Sequence, residues 1–191
     1  MITTQAPPNK FNRINILLEV AAVVFNLLYT LFYLRGDVWC YFFGIIGPIL
    51  FVLLCYRKKL YAEPLLQVFY IGFAIYGWLT WGGEWRQEHW PFMQHLPYML
   101  SGMLLSALAG HYLKKNTDAK LPYIDSFITV FGIIGMWVMV NYVHENWLYF
   151  ILINGLSIYV YLRRRMYLGT AMFVLYFIMA CDGYFKLGIF T

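Results

Sequence analysis

Seven long apolar stretches run through this sequence, separated by short polar connections that hold most of its charged residues. A helix needs roughly 20 apolar residues to cross the hydrocarbon core of a bilayer, because it rises about 1.5 Å per residue. The stretches therefore predict seven membrane-spanning helices, at about 14–34, 38–56, 63–81, 96–113, 123–143, 147–162 and 166–186.

The composition leaves room for little besides these helices. Of the 191 residues, 62% are hydrophobic and 12% are charged, whereas a soluble domain carries about 25% charged residues. We therefore predict one all-α polytopic membrane domain over residues 1–191. Neither GxxxxGKS/T nor GxGxxG is present, so the usual cradles for nucleotide phosphates are excluded. No cofactor and no nucleic-acid partner is expected.

The Lys and Arg residues predict the orientation of the helices. If successive spans alternate in direction, eleven of the 14 Lys and Arg residues fall on one side of the membrane. Cytoplasmic connections are the positively charged ones, so we expect the N-terminus in the cytoplasm and the C-terminus outside. The net charge of +5 then reflects connections that lie near anionic membrane lipid. The polar N-terminus has no signal-peptide core before Ile14, so we expect the first span to be retained.

The chain contains an internal repeat. Residues 37–47 (DVWCYFFGIIG) resemble residues 145–155 (ENWLYFILING), which lie 108 positions later. Beyond the basic turns the offset becomes 106, and residues 76–78 then correspond to residues 182–184. The matches keep their order and need a single two-residue gap, so they indicate a duplication.

The repeat predicts two three-helix units, at 14–81 and 123–186, joined by a linker helix at 96–113. A single helix between two three-helix repeats gives both repeats the same orientation, related by an axis along the membrane normal. In the linker, small residues recur every four positions, at Gly102, Ser106 and Gly110. Such a stripe favours close packing, so we predict that this helix is a strap between the repeats.

The sixth helix carries a polar and aromatic face, which at helical spacing consists of Trp147, Phe150, Asn154 and Ser157. A buried amide such as Asn154 needs a hydrogen-bonding partner. Aromatic rings with a few amides bind a flat heteroaromatic solute by stacking and by hydrogen bonds to its edge. The alternative, that Asn154 bonds to a neighbouring helix, stays open.

Asp182 is an ionisable residue within the seventh span. Such residues are rare in spans and usually face a cavity or a partner. Asp182 could supply a counter-charge to a cationic solute, for which the aromatic rings would add cation–π attraction. The alternatives are that Asp182 is hydrated at the interface or is paired with Lys186, four residues later.

Further candidates for the solute site lie in the first repeat. They are polar or aromatic residues of the third helix, together with the counterpart of Trp147: Gln67, Tyr70, Tyr76 and Trp39. Asn154 has only Ile46 as its counterpart. We therefore expect the solute to lie against spans six and seven, with span three completing the pocket. Because 21% of the residues are aromatic, plain packing is the alternative for each ring.

No catalytic or metal-binding pattern is evident. The four histidines form no HxxxH or HExxH spacing, and the three cysteines lie far apart. No carboxylate pair is visible within the spans. We therefore predict a protein that is not an enzyme and that binds no metal. An intramembrane enzyme is the alternative of another class.

Two strings are distinctive in this arrangement: LYAEPLLQVFYIGFAIYGW at 60–78 and YVHENWLYFILIN at 142–154. Together with the three-plus-one-plus-three repeat, they resemble the Pnu family of bacterial vitamin transporters, and most of all its nicotinamide riboside carriers. The resemblance covers Glu19 to Lys186. It implies a fold related to that of the SWEET sugar transporters, a homotrimer, and a place in the bacterial inner membrane with the C-terminus in the periplasm.

The resemblance also implies a mechanism. Transport would be facilitated diffusion by alternating access, without a coupling ion. Net uptake would come from phosphorylation of the vitamin by a cytoplasmic kinase, which is thus a functional partner.

Three departures from the family pattern concern the solute. The riboside carriers resemble one another in having WxxWxxxN in span six, where this chain has Phe150 as the second aromatic residue. The family often has Asn where this chain has Gly47, and Asn-Gly where it has Asp182 followed by Gly183. Family members also carry thiamine, which is a permanent cation with an aminopyrimidine ring. We therefore predict uptake of a small cationic heteroaromatic vitamin, with thiamine first and nicotinamide riboside as the alternative.

Overall fold

The structure is a computed structural model that describes residues 10–57, 63–81, 87–117, 121–163 and 167–190. Within these ranges the regular elements are helices, and the one pairing of β type is an isolated bridge between Glu88 and Val143. The helices, in chain order, are α1 (Lys10–Leu34), α2 (Trp39–Arg57), α3 (Glu63–Leu79), α4 (Phe92–Asn116), α5 (Pro122–Val140), α6 (Asn146–Arg163) and α7 (Tyr167–Phe185). Each helix coincides with one predicted span, and the all-α class is confirmed.

The fourth helix begins four residues earlier than the apolar pattern predicts. Its first turns contain Gln94 and His95, which lower the hydropathy of that end. His95 is nevertheless buried, because its Nδ1 lies 3.0 Å from the hydroxyl of Tyr149 on α6. A hydrogen bond from one ring nitrogen to a distant partner thus accompanies the burial of this helix end.

The chain divides into two compact units, and the first contains α1 up to Tyr33, α2 and α3. Two glycines of α2 allow the neighbouring helices of this unit to come close. A Cβ atom at Gly47 would lie 2.9 Å from Oδ1 of Asn26 on α1. One at Gly44 would lie 2.8 Å from a ring carbon of Tyr29, also on α1. Any larger residue at either position would therefore push α1 and α2 apart.

The second unit contains α4 to α7 and the short segment 34–36. The small-residue stripe of α4 packs against α5, since a Cβ atom at Gly102 would lie 2.7 Å from Ile134 and one at Gly110 would lie 2.5 Å from Tyr123. The predicted close packing is therefore observed, with α5 as the partner. That α4 is also a strap between the repeats stays a prediction.

The core of the second unit lies between α5 and α6. Phe131 stacks on Phe127 at 4.1 Å between ring centroids, and on Tyr149 of α6 at 6.4 Å. The buried cluster consists of Phe131, Val138, Val143, Tyr149 and Ile153. This packing fixes α6, the helix that carries the polar and aromatic face.

The burial pattern places the internal repeat in a different register from the one that sequence identity suggests. With one offset of 106 throughout, Cys40 and Asn146 correspond, and both are fully buried. The next pair, Tyr41 and Trp147, is 0% and 2% exposed. An offset of 108 would instead match buried Trp147 with Trp39, which is 56% exposed. Because equivalent helices bury equivalent faces, Tyr41 is the counterpart of Trp147, and Pro48 replaces Ile46 as the counterpart of Asn154.

Candidate functional site

The predicted face of α6 is present and largely buried. Trp147, Asn154 and Ser157 have low exposure, and Phe150 is partly buried. The hydroxyl of Ser157 donates to the carbonyl oxygen of Ile153 at 2.8 Å, so it is satisfied within its own helix. The chemistry that the face offers to a solute therefore rests on one amide and two aromatic rings.

Trp147 lies against α7. Its indole ring covers the backbone of Gly183, where even a methyl group would overlap the ring. The ring also meets Phe150 edge-on, at 6.5 Å between centroids. Phe150 in turn packs against the core cluster between α5 and α6. The two aromatic residues of the face are thus held by different neighbouring helices.

Asn154 lies at mid-helix, 8% exposed, and makes no hydrogen bond with any residue that the structure describes. The Asn154 amide is not among the fully buried polar atoms that lack a partner in the described ranges, and its residue keeps 8% exposure. A bound solute that reached this amide would supply a hydrogen-bonding partner. Asn154 is therefore the strongest candidate for a direct contact with a solute.

Asp182 is fully buried at the end of α7, but its carboxylate already has partners. Oδ1 accepts a hydrogen bond from the amide of Ile189 at 3.0 Å, and Oδ2 accepts one from the amide of Phe190 at 2.8 Å. Arg35 Nε donates to the carbonyl oxygen of Phe190 at 3.3 Å. The carboxylate therefore anchors the C-terminal segment, residues 187–190. This is neither of the structural alternatives predicted for it, and a counter-charge role stays a prediction.

The four candidates of the first unit do not share one environment. Gln67 and Tyr70 are partly buried on α3, whereas Tyr76 is 40% exposed and lies on roughly the opposite side of that helix from Gln67. Trp39 is 56% exposed at the start of α2, where its backbone amide donates to Asp37. Gln67 and Tyr70 thus remain a pair, while the roles of Tyr76 and Trp39 stay separate predictions.

Sequence reasoning missed one mid-span amide. Asn26 lies on α1, partly buried, with its side-chain oxygen beside Gly47 of α2. Its side chain makes no hydrogen bond within the described part of the chain. An amide from α1 thus lies beside Gly47. The detectable signal was a lone Asn within an apolar span.

A polar network at the start of α6 was also missed, because its members are distant in sequence. Glu145 lies 2.9 Å from His89 Nδ1 through one carboxylate oxygen and accepts a hydrogen bond from the Trp90 amide through the other. The backbone of Glu88 pairs with Tyr142 and His144. Together these contacts hold residues 87–90 against the turn that precedes α6.

The network shifts the pKa values of two groups outside the helices, Glu145 and His144. Burial raises the pKa of Glu145, but the hydrogen bonds from His89 and the Trp90 amide outweigh it, so the pKa is lowered overall. Burial lowers the pKa of His144, against the opposing effect of its hydrogen bond to the Tyr184 carbonyl oxygen. We therefore expect a charged Glu145 and a neutral His144 at neutral pH.

These shifts predict that mild acid destabilises the second unit. A group whose pKa is lower in the folded state than in the unfolded state stabilises the fold fully when the pH is above the unfolded-state pKa, which is about 6.5 for histidine. This stabilisation is lost as the pH falls through the folded-state pKa. The positive charge of protonated His144 would be repelled by His89 and Lys186 and attracted by Glu145. The Tm of the purified protein should therefore fall between about pH 7.5 and pH 5.5.

His144→Gln should reduce this fall, because glutamine keeps a polar group near Gln87 and Tyr184 without titrating. The matched control is His111→Gln, since His111 is exposed on α4. An equal fall in the wild type and in His144→Gln would contradict the assignment.

No group of three or more metal-binding side chains occurs in the described ranges. The cysteines whose side chains the structure describes, Cys40 and Cys181, are free thiols. The site therefore offers stacking, hydrogen bonding and shape.

Seven apolar helices, with a largely buried aromatic and amide face on one of them, are the arrangement expected of a membrane protein that binds a small organic solute. Residues 16–187 match the family described as nicotinamide mononucleotide transporters. The chain therefore belongs to this family, the Pnu family, and it is a transporter and not an enzyme.

Known proteins support the assignment. The nicotinamide riboside transporter PnuC of Escherichia coli (strain K12) is 26% identical over 174 residues, which cover 75% of this chain and 73% of that protein. The protein of the same name from Shigella flexneri matches to the same extent. The crystal structure of the vitamin B3 transporter PnuC has the same fold, with a TM-score of 0.71 and 21% identity, over 94% of this chain and 88% of that one.

Proposed function

We propose that this protein carries an unphosphorylated, cationic heteroaromatic vitamin across the membrane, with nicotinamide riboside as the first candidate. The observation that carries the proposal is the amide of Asn154, which lies mid-helix on the aromatic face of α6 and makes no hydrogen bond within the described residues. The relatives named as nicotinamide riboside transporters support the choice of vitamin.

The chemistry of the nicotinamide ring suits this face. Its primary carboxamide can exchange two hydrogen bonds with an asparagine side chain, which would satisfy Asn154. The flat pyridinium ring can stack on Phe150 or on another aromatic side chain, with added cation–π attraction. For Gln67 and Tyr70 of α3, a contact with the solute stays a separate prediction.

A phosphorylated vitamin suits the same helices poorly. In α6 the first basic residue is Arg163, at its end, and α7 contains no Lys or Arg. A phosphate at mid-membrane would therefore lose its water without gaining a cationic partner, which is costly. We accordingly place the nucleoside before the mononucleotide that gives the family its description.

Thiamine is the second candidate. It is favoured by the aromatic residue at position 150, which is Phe where the family's riboside carriers resemble one another in having Trp. The aminopyrimidine ring of thiamine offers a neighbouring donor and acceptor, which an amide such as Asn154 can also pair with. Since the Asp182 carboxylate is occupied by the amides of Ile189 and Phe190, charge no longer favours thiamine over the riboside.

We further propose facilitated diffusion with trapping by a cytoplasmic vitamin kinase, and assembly as a homotrimer with the N-terminus in the cytoplasm. Passive transport is supported by the ionisable groups within the described spans, where Asp182 is the one buried carboxylate and is hydrogen-bonded to backbone amides. Ion or proton coupling usually needs carboxylates that are open to a cavity.

Binding to the purified protein tests the proposal. We expect nicotinamide riboside to bind at micromolar concentration or tighter, nicotinamide mononucleotide to bind at least about tenfold more weakly, and Asn154→Leu to weaken the riboside by about 1–3 kcal/mol. Tighter binding of thiamine than of the riboside would reverse the order of the two candidates. If none of the three compounds binds, the vitamin-transport proposal fails.

A further inference from the structure

A glycine in the last turn of α7 lies directly against the aromatic ring that begins the α6 face. A Cβ atom built at Gly183 would lie 2.6 Å from Cδ2 and 2.8 Å from Cζ2 of Trp147, and closer still to Cε2. These atoms belong to the rigid indole ring, and Trp147 is 2% exposed. The ring cannot move aside without moving α6 or changing its rotamer.

The first repeat contains an equivalent contact between a glycine and a buried aromatic ring. A Cβ atom at Gly77 of α3 would lie 2.7 Å from Cζ and 3.0 Å from the hydroxyl oxygen of Tyr41 on α2. In the uniform register of 106, Gly77 corresponds to Gly183 and Tyr41 to Trp147. In each repeat, one buried aromatic ring thus packs directly against one glycine of the last helix.

The two contacts differ in the residues that follow the aromatic ring along its helix. Trp147 is followed, one and two turns along its helix, by Phe150 and by Asn154, whose amide has no hydrogen-bonding partner in the described part of the chain. The corresponding positions of α2 are Gly44 and Pro48, which offer neither a ring nor an amide. A shift of the Trp147 ring therefore changes the proposed solute-binding face of α6, whereas a shift of the Tyr41 ring changes the packing of α2 on α3.

We infer that Gly183 is a positioning residue for substrate recognition: by leaving space for the indole ring of Trp147, it sets the spacing between the Phe150 ring and the Asn154 amide. This inference rests on the proposed function. Gly183 does not touch the solute itself. Its effect passes through Trp147 and the edge-on contact of 6.5 Å with Phe150.

The test compares two glycine-to-alanine variants that carry a similar steric overlap, Gly183→Ala and Gly77→Ala, in the full-length protein. The Kd for nicotinamide riboside and the Tm are measured for each. Both variants should lower the Tm, because both overfill a packed contact. Gly183→Ala should also raise the Kd at least about tenfold, whereas Gly77→Ala should change it by less than about threefold. An unchanged Kd in Gly183→Ala, or equal changes in both variants, would overturn the inference.

A second pair of variants keeps the test informative if Gly183→Ala does not fold. Trp147→Phe replaces the indole with a smaller ring, so the added methyl group of Trp147→Phe/Gly183→Ala should have space. The Kd of this double variant should lie within about threefold of that of Trp147→Phe, because the effects of contacting residues are not additive. A further tenfold loss would show that Gly183 acts by another route.

The proposed function is tested separately by the wild type. Absence of riboside and thiamine binding to the wild type would remove the proposed function and the inference with it. Wild-type binding that Gly183→Ala leaves intact would remove the inference alone.

Discussion

Replacing Trp147 with alanine is expected to lower the free energy of unfolding by about 3–5 kcal/mol and to abolish vitamin binding. The side chain is 2% exposed and fills the contact between α6 and Gly183 of α7, so its loss leaves a cavity where two helices meet. The cavity also removes the contact that supports Phe150 at the edge of the proposed solute-binding face. Denaturation in detergent and a binding titration measure the two effects.

Trp39→Ala is the control for this variant, because sequence identity pairs Trp39 with Trp147 while burial separates them. Trp39 is 56% exposed, so we expect its loss to change stability by less than about 1 kcal/mol. The Kd of Trp39→Ala also tests the prediction that Trp39 lines the site. A Trp147→Ala protein with wild-type stability and affinity would show that neither the packing nor the site is as described.

Replacing Asp182 with alanine is expected to release the C-terminal segment 187–190 and to lower stability by about 1–3 kcal/mol. The carboxylate accepts hydrogen bonds from the amides of Ile189 and Phe190, and it is fully buried. Faster digestion of the C-terminus by a carboxypeptidase reports the release, and the Tm reports the loss of stability.

Truncation after Gly188 is the matched comparison, because it removes both amide donors and keeps the carboxylate. If Asp182 only anchors the segment, Asp182→Ala and the truncated protein should lose similar stability and keep similar affinity for the vitamin. We expect this result. A tenfold loss of affinity in Asp182→Ala alone would instead restore Asp182 as the counter-charge of a cationic solute.

The register of the repeat shows how far sequence comparison reaches. Identity paired Trp39 with Trp147, because both follow an acidic residue near the start of a helix. Burial pairs Tyr41 with Trp147, and both side chains lie on a glycine of the last helix of their repeat. The two pairings differ by two residues, which rotates every side chain by more than half a turn of the helix. Sequence identity does not report this rotation, whereas the pattern of buried side chains along the helix does.

The candidate site was predicted in part, and for a local reason. The face of Trp147, Phe150 and Asn154 follows from the helical period, so sequence sufficed to place these residues on one helix. The partner of the Asp182 carboxylate does not follow from any period, because the chain must turn back at Gly188, where φ is +72°, to bring two amides to it. Asn26 was missed because its importance depends on its neighbour Gly47 on the next helix.

The sequence by itself determined the all-helical class, the seven helices and the family. In a membrane the backbone must satisfy its own hydrogen bonds, so a long apolar segment becomes a helix whatever its neighbours are. Only the tertiary structure decided which side chains meet: Glu145 with His89, Asp182 with the C-terminal segment, and Trp147 with Gly183. These contacts join residues of different segments. They depend on the distance and orientation of the folded segments, which composition and periodicity do not specify.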